Sequence, residues 1–329
     1  MHVVLVTPGA TDTVSGGYGY NREMMAALAA HGHRVEIVAP RDLEHVPDAA
    51  RIVVDGIGIS AFAEHPDLLA SRRAIGLIHH PTALESGRDD HARAGLRVLE
   101  AQIYATLPRL VVTSEATLER LVAEFAVPRE RIVVVTPGTR NASRSTGSPG
   151  ARCEVLAVGA LVPRKGHDVL IRAVSPLTDL DWALTIVGTS SRDPSHAEAL
   201  RTLADTLGVG SRVTLAGEVT DAELEGSWKC ADVFALASNF EAYGMAVAEA
   251  LRRGLPAAVS SGGAAASLVT PEAGAVCAPG DVQTLSKSLR RMIVDLPLRR
   301  DMAEHAWQIG RTLPDWTSQA RAFAAAIAT

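Results

Sequence analysis

In the last third of the chain an apolar run, a tight turn and a helix follow one another. The run Asp232–Ser238 is apolar enough to be a buried parallel strand. Tyr243 and Gly244 stand in the turn that follows, and Met245–Arg253 is an Ala- and Leu-rich helix ended by a Gly-Leu-Pro sequence. A helix entered through a glycine turn offers free backbone N–H groups to an anion, usually a phosphate. The stretch therefore predicts a phosphate site beside a buried sheet.

The beginning of the chain shows the same alternation of strand and helix. A strand at Val3–Thr7 runs into a glycine-bearing loop, Pro8–Gly17, before a helix at Tyr18–His31 and a second strand at Arg34–Ala39. This order is typical of a doubly wound α/β sheet. The loop has no complete G-x-G-x-x-G after the strand, since Gly17-Tyr-Gly19 comes too late. No dinucleotide cofactor is therefore predicted.

The remaining elements follow the same pattern. Further strands are predicted at Arg51–Val54, Ile75–Ile78, Arg109–Thr113, Ile132–Thr136, Glu154–Val158, Trp182–Val187, Arg212–Ala216, Ala257–Ser260 and Ala275–Cys277. Helix starts are predicted after the capping residues Ser114, Asp193, Thr220 (with Glu223) and Asp281. The helix after Asp281 is expected to end near residue 295, and a terminal helix to follow Asp315. Residues 139–151, rich in Ser, Gly, Thr and Arg, are predicted to link a domain at 1–138 to a second at 152–312, followed by a C-terminal segment, 313–329.

Composition excludes several classes of function. The 329 residues are 47% hydrophobic, which is ample for one or two cores, and the net charge is -5 with no basic stretch, so nucleic acid is not the expected partner. The three cysteines lie far apart, as expected of reduced thiols in a cytoplasmic protein. Neither a leader peptide nor an apolar run of about 20 residues is evident, so no transmembrane segment is predicted. Asp179-Leu-Asp181 is a formal D-x-D, but it stands at a turn, and no metal is predicted.

Four side chains are candidates for chemistry. On a single helix, Glu241 and Glu249 would be about 12 Å apart and on different faces, so they cannot form a close acid/base pair. With Glu241 in the turn, the two carboxylates flank a phosphate site, which suits a nucleotide sugar; alternatively, Glu241 caps the helix and Glu249 is solvated. Lys165 beside a glycine at a helix entrance suits a phosphate. His79 follows a strand at the edge where open α/β sheets bind ligands, although a solvated loop histidine is the alternative and His80 could exchange with it.

The stretch Phe240–Glu249, with the Gly-Leu-Pro that follows, resembles the Glu, seven residues, Glu signature of glycosyltransferase family 4. These are retaining enzymes of the GT-B fold, in which two Rossmann-like domains face each other across a cleft. The resemblance implies that the first domain binds the acceptor and the second the nucleotide sugar, and that the terminal helix crosses back to the first. It also implies that Glu241 contacts the hydroxyls of the donor sugar and that Glu249 holds the ribose.

Other motifs extend this resemblance. The run Gly159–Gly166 resembles the family's Gly-Arg-Leu…Lys-Gly motif, in which Arg and Lys neutralise the leaving diphosphate. Lys165 matches, whereas Ala160 stands in place of the Arg, so either Arg164 substitutes for it or Lys165 and helix dipoles suffice. Ser15-Gly-Gly17 resembles the family's glycine loop. The donor-binding residues implied by the resemblance are Gly16, Gly17, Arg164, Gly188, Tyr243, Gly244, Met245 and Glu249, while His79, Lys165 and Glu241 are implied in the transfer itself.

The expected function is retaining transfer of a sugar from a UDP- or GDP-sugar to an acceptor hydroxyl, by front-face attack and without metal or cofactor. The acceptor, whether a small molecule, a glycan or a lipid-linked group, is not identified, and a peripheral position on the inner face of the membrane is left open. Two alternatives remain. One is a non-catalytic nucleotide-sugar-binding subunit, and the other is an epimerase or phosphorylase on the same scaffold.

Overall fold

The computed structural model describes residues 1–8, 16–85 and 89–328 and divides into two compact units. The first unit consists of Met1–Gly138 and Pro314–Thr329, and the second of Thr139–Leu313. Each unit holds one six-stranded sheet, and every strand pair in the described residues is parallel. The predicted doubly wound α/β architecture is confirmed.

The first unit begins with a sheet whose strand order is β2-β1-β3-β4-β5-β6. Its strands are β1 (His2–Val6), β2 (Arg34–Val38), β3 (Arg51–Asp55), β4 (Ile75–Ile78), β5 (Arg109–Val112) and β6 (Ile132–Val134). Its helices are α1 (Gly16–Ala30), α2 (Pro66–Ser71), α3 (Asp90–Thr106) and α4 (Glu115–Phe125). The chain adds β2 on one side of β1 and β3 on the other, so the strand order reverses at β1. Doubly wound sheets bind ligands outside the carboxyl ends of the strands at this point.

The second unit repeats this plan with the strand order β12-β11-β10-β7-β8-β9. Its strands are β7 (Cys153–Val158), β8 (Trp182–Val187), β9 (Val213–Gly217), β10 (Val233–Leu236), β11 (Ala257–Ser260) and β12 (Gly274–Cys277). Its helices are α5 (His167–Val174), α6 (Pro194–Thr206), α7 (Asp221–Cys230), α8 (Met245–Arg252), α9 (Val282–Val294) and α10 (Leu296–Thr312). The order reverses between β7 and β10, so the loops after these two strands mark the place where a ligand is expected.

Both faces of the second sheet are covered by helices. On one face α5, α6 and α9 enclose an apolar core that includes the fully buried Trp182. On the other face α7, α8 and α10 cover a core in which Trp228 stacks on Phe234 with ring centroids 5.5 Å apart. Strands buried on both faces are apolar at consecutive positions rather than alternating, which is why the sequence shows them as short continuous runs.

The predicted helix starts are confirmed by their caps. Side-chain oxygens of Ser114, Asp193 and Asp281 accept backbone N–H groups of the first helical turns of α4, α6 and α9, and Thr220 with Glu223 forms a reciprocal capping box at α7. Each cap satisfies a donor that has no partner within the helix.

A last helix, α11 (Trp316–Ala328), belongs to the first unit. A Cβ on Gly138 would come within 2.4 Å of the Trp316 nitrogen, so glycine is required where the two chain segments meet. The Arg109 guanidinium donates to the Ala326 carbonyl oxygen at 2.8 Å. Across the described parts of both units, no helix combines the length and the apolar character needed to cross a bilayer.

The predicted linker residues lie against the second unit. The Ser145 N–H donates to the Arg253 carbonyl oxygen at 2.8 Å, and the Thr146 N–H donates to that of Lys229 at 3.0 Å. This segment is therefore held by backbone hydrogen bonds rather than by an apolar core of its own.

Candidate functional site

In the turn after β10, the backbone of Glu241 pairs with the loop that follows β11. The Glu241 N–H donates to the Gly262 carbonyl oxygen, and the Ala264 N–H donates to the Glu241 carbonyl oxygen, both at 2.8 Å. A Cβ on Gly262 would come within 2.1 Å of the Asn239 carbonyl oxygen, and one on Gly263 equally close to that of Glu241. Only glycine allows the loop after β11 to approach so closely. The backbone hydrogen bonds from this loop fix the Glu241 backbone.

Two cationic side chains converge on the Glu241 carboxylate. Lys165 Nζ lies 2.5 Å from Glu241 Oε1, and a guanidinium nitrogen of Arg164 lies 3.8 Å from the same oxygen. The Ser238 hydroxyl donates to this oxygen at 2.7 Å. We call these four residues the Glu241 cluster. Its two cations and one carboxylate leave a charge of +1, which favours an anionic ligand.

The cluster forms because the loops after β7 and β10 meet at the reversal of the sheet. The turn Pro163–Lys165 ends at Gly166, whose φ is +64° and at which a Cβ would lie 2.1 Å from the Ala237 carbonyl oxygen. The Asn239 N–H donates to the Arg164 carbonyl oxygen at 2.8 Å. Left-handed backbone and close contact both require glycine at position 166, which explains the Lys-Gly pair in the sequence.

The charges in the cluster determine the ionisation of Glu241. Burial by itself raises the pKa of the Glu241 carboxyl, but the charges of Lys165 and Arg164, with the hydrogen bonds from Lys165 and Ser238, outweigh it and hold the pKa below its usual value. The side chains of Lys165 and Glu241 are 15% and 12% exposed, so the pair is largely but not completely withdrawn from water. A phosphate that arrived there would compete with Glu241 for the ammonium group.

The second glutamate stands on the helix that follows the turn. Helix α8 begins at Met245, so Glu241 lies outside the helix and Glu249 in its second turn. Gly244 precedes the helix with φ at +98°, and a Cβ there would lie 2.6 Å from the Ala265 Cβ. The N-cap residue Gly244 has no side chain that could accept a hydrogen bond, so it does not cap the first N–H groups of the helix. Tyr243 is buried beside this turn.

Gly188 and His167 shape the loop after β7. A Cβ on Gly188 would lie 2.0 Å from the Gly159 carbonyl oxygen, so glycine lets the loops after β7 and β8 touch. His167 Nε2 lies 3.2 Å and 3.3 Å from the carbonyl oxygens of Gly159 and Ala160, to which it can donate only when it carries a proton. Burial lowers the pKa of His167 to about 4, so the ring is neutral at neutral pH. His167 thus ties α5 to the loop in which Ala160 replaces the family arginine.

In the first unit, the structure brings Gly17 and His79 together. The described part of helix α1 already includes Gly16 and Gly17, so both glycines are helical instead of belonging to the loop predicted before Tyr18. A Cβ on Gly17 would lie 3.3 Å from His79 Cδ2, whereas one on Gly16 would meet nothing within 4 Å. Glycine at position 17 therefore avoids a tight contact with the His79 ring. Ser15 and the rest of the predicted loop, 9–15, lie outside the described residues.

His79 lies in a network of side chains that the sequence analysis did not single out. Its Nε2 lies 3.0 Å from Asn21 Oδ1, and the Asn21 amide donates to the buried Asp55 at 2.6 Å. Burial lowers the pKa of His79, although the Asp55 charge acts in the opposite direction. A polar residue directly after the apolar run 51–54 was the one signal that could have pointed to Asp55.

The D-x-D sequence has a structural role for its first member. Asp179 forms a bidentate ion pair with Arg290 on α9, in which one oxygen–nitrogen distance is 2.9 Å. Among the residues that the structure describes, no three His, Cys, Asp or Glu side chains are grouped so that they could hold a metal ion.

A family model described as Glycosyl transferases group 1 matches residues 139–308, just over half of the chain. The chain belongs to the group 1 glycosyl transferases. The matched stretch contains the whole Glu241 cluster and Glu249.

Relatives of this glycosyl transferase include several proteins named D-inositol 3-phosphate glycosyltransferase. The one from Mycolicibacterium smegmatis is 30% identical over 261 residues, which cover 73% of this chain and 60% of the relative. The one from Corynebacterium glutamicum is 28% identical over 278 residues, which cover 77% of this chain and 66% of the relative. The chain thus spans 60% of the length of the M. smegmatis relative.

Solved structures establish the fold of this glycosyl transferase. HepE of Anabaena, in complex with UDP and glucose, superposes with a TM-score of 0.82 at 16% identity over the full length of both chains. Sucrose-phosphate synthase from Thermosynechococcus elongatus gives a TM-score of 0.81 at 19% identity and covers 98% of this chain and 97% of its own. Together with the two parallel sheets, these similarities confirm the predicted GT-B fold with two Rossmann-like domains.

Proposed function

We propose that this group 1 glycosyl transferase moves a sugar from a nucleoside-diphosphate sugar to an acceptor hydroxyl, with retention of anomeric configuration. The Glu241 cluster carries the proposal. It combines a net positive charge with a carboxylate at the reversal point of the second sheet, beside an uncapped helix start. A diphosphate needs the cations and the N–H groups, and a sugar needs the carboxylate. The second unit is accordingly the donor-binding unit and the first the acceptor-binding unit.

Each site residue has a role in this proposal. Lys165 and Arg164 neutralise the diphosphate, helped by the N–H groups of Met245 and the Gly244 turn. Glu241 accepts hydrogen bonds from hydroxyls of the donor sugar, and Glu249 does so from the ribose. The remaining donor contacts are assigned to Gly188 and Tyr243 near the nucleoside, to the backbone of Gly16 and Gly17 near the phosphates, and to His79 at the transferred sugar.

The reaction exchanges one bond to the anomeric carbon for another on the same face. The bond from this carbon to the β-phosphate oxygen breaks while the acceptor oxygen bonds to the carbon, and the acceptor proton passes to the departing phosphate. Groups fixed where charge develops contribute roughly 3 kcal/mol each to the transition state. Because two cationic side chains already face the diphosphate site, we propose that the reaction requires neither a metal ion nor a cofactor.

A thermal-shift panel of UDP, GDP and their sugars tests donor binding, with UDP-glucose tried first because HepE has been solved with UDP and glucose. A ligand that binds only the folded protein raises its melting temperature. Lys165→Ala and Glu249→Ala should each abolish the rise, whereas Lys287→Ala, at an exposed position on α9, should retain it. A full rise in both site variants would overturn the assignment.

Incubation with labelled nucleotide sugars tests the reaction itself. Slow hydrolysis, or transfer to D-inositol 3-phosphate as the first acceptor to try, would identify an enzyme. Binding without turnover would identify a nucleotide-sugar-binding subunit, and an altered sugar still attached to nucleotide would identify an epimerase. NMR of the product gives the anomeric configuration, and turnover that persists in EDTA is expected if no metal takes part.

A further inference from the structure

A buried carboxylate, an amide and an imidazole form a chain at the reversal of the first sheet. Asp55 ends β3, Asn21 lies on α1, and His79 follows β4. Asp55 and Asn21 are both fully buried. The Asn21 amide bridges the other two residues, with Nδ2 2.6 Å from Asp55 Oδ2 and Oδ1 3.0 Å from His79 Nε2. Each of its polar ends therefore has one partner.

The direction of these hydrogen bonds follows from which groups can donate. Asp55 already accepts the Ile57 N–H at 3.1 Å and the Thr7 hydroxyl at 3.2 Å. An ionised carboxylate can only accept, so the NH2 group of Asn21 must face Asp55. The amide oxygen of Asn21 then faces His79 and can only accept, which requires a proton on His79 Nε2.

We propose that Asn21 is a positioning residue, which holds His79 in the Nε2–H tautomer and so presents Nδ1 as a hydrogen-bond acceptor to a substrate hydroxyl. The step from tautomer to substrate rests on the proposed function, because that function supplies the hydroxyl-bearing ligand. Asp55 acts on His79 indirectly, because its hydrogen bond to Asn21 determines which way the Asn21 amide points.

The surroundings of His79 leave little freedom to its ring. The Tyr20 ring packs edge-on against it with centroids 4.9 Å apart, a Cβ on Gly17 would lie only 3.3 Å from Cδ2, and the Thr117 hydroxyl donates to the His79 carbonyl oxygen at 3.1 Å. Burial lowers the pKa of His79, which keeps the imidazole neutral at neutral pH. A neutral imidazole has a single acceptor nitrogen.

The acceptor nitrogen is the one that the network leaves for a ligand. Within residues 1–8, 16–85 and 89–328, no group hydrogen-bonds Nδ1 of His79. An acceptor held in this way recognises hydroxyl donors and does not attract a phosphate, which has only acceptors to offer when ionised. We therefore assign His79 to a sugar or acceptor hydroxyl and not to the diphosphate.

The tautomer can be measured by NMR on the ligand-free protein labelled with 15N-histidine, because the two ring nitrogens give distinct signals in each tautomer. His79→Gln assigns the His79 signals by their loss. The wild-type protein should show His79 with the proton on Nε2. A proton on Nδ1 would overturn the proposal.

Two substitutions distinguish orientation from general stabilisation. Asn21→Leu removes both hydrogen bonds and should give a mixture of tautomers at His79. Thr7→Val removes a donor from the same Asp55 carboxylate but leaves Asn21 in place, so the Nε2–H tautomer should persist. An unchanged tautomer in Asn21→Leu would overturn the role of Asn21, as would an equal change in both variants.

The kinetic consequence is a separate measurement. If the proposed transfer reaction is found, Asn21→Leu should lower kcat/KM by roughly 10- to 100-fold, the usual cost of a misplaced group near the reacting atoms. The tautomer is measured on the protein without its sugar-donor or sugar-acceptor substrate. A failure of the proposed function would therefore leave the NMR result standing. An unchanged kcat/KM alongside an altered tautomer would overturn the link from His79 Nδ1 to the substrate.

Discussion

Substitutions that remove the charge of Lys165 or of Glu241 test whether the two residues form only a structural ion pair or also a phosphate-binding site. Lys165→Met keeps most of the side-chain length, and Glu241→Gln keeps the shape. Loss of one partner from a fully buried pair costs about 3–5 kcal/mol. In Lys165→Met, the Ser238 hydroxyl at 2.7 Å and Arg164 at 3.8 Å still face Glu241. We therefore expect a loss of about 2 kcal/mol, or roughly 4–8 °C in Tm for a domain of this size.

The double variant Lys165→Met/Glu241→Gln carries neither charge. It should be more stable than the sum of the two single losses predicts, with a coupling of about 1–2 kcal/mol, because neither group is left unpaired. Denaturant unfolding at neutral pH measures this coupling. The lowered pKa of Glu241 has the sign expected for a stabilising pair: its contribution is complete above the ordinary carboxyl pKa and is lost as the pH falls through the lowered value.

Addition of UDP to the same variants decides the role of Lys165. Glu241→Gln leaves the ammonium without its partner, so the rise in Tm with UDP should equal or exceed that of the wild type. Lys165→Met and the double variant should lose the rise. If UDP raised the Tm of Lys165→Met as in the wild type, or if Glu241→Gln lost the rise completely, Lys165 would be only a structural partner of Glu241.

Three further predictions concern the same unit. His167 is neutral and buried with a pKa of about 4, so folding loses stability as the pH falls from about 6.5 to 4, by about 3 kcal/mol in all. His167→Gln should remove this part of the pH dependence in denaturant titrations, whereas His305→Gln, at a partly exposed position on α10, should leave it. Arg164→Gln should weaken UDP binding by roughly 10-fold in calorimetry, the equivalent of one charge-assisted hydrogen bond; unchanged affinity would mean that Arg164 does not replace the missing family arginine. Gly244→Ala should cost about 1–3 kcal/mol, because φ is +98° and the new Cβ would lie 2.6 Å from that of Ala265; a stability equal to that of the wild type would show that the turn can relax.

The secondary structure was largely predictable because its signals are local. Each of the twelve predicted strands overlaps an observed strand, with ends that agree within two residues. Strands buried on both faces are continuous apolar runs, and capping residues mark helix starts through bonds that span only three residues, as at Ser114 and Asp281. Neither signal depends on the rest of the fold.

Helix α10 was not predicted, and its packing explains why. Its buried positions are Met302, Ala306 and Gly310, so two of the three residues facing the core are too small to give an apolar pattern. They are small because the helix lies very close to α8, where a Cβ on Gly310 would come within 2.2 Å of the Leu251 carbonyl oxygen. Close packing can therefore remove the periodicity by which a helix is recognised.

The residues of the candidate site also fall into two groups: some stand in local sequence motifs, and others are related only through the fold. Lys165, Gly244 and Glu241 stand in local motifs, and the structure places Lys165 and Glu241 in contact although they are 76 residues apart. Asn21 and Asp55 stand in no motif. Their importance follows from strand order, because the reversal at β1 places the ends of β1 and β3 side by side under the start of α1. A sequence shows where the strands are but not which strands are neighbours. It therefore does not predict that a buried Asn on a helix contacts an Asp at the end of a strand. Residues that hold a catalytic group in place are therefore harder to predict than the group itself, since their function depends on the sheet topology rather than on their own neighbours in the chain.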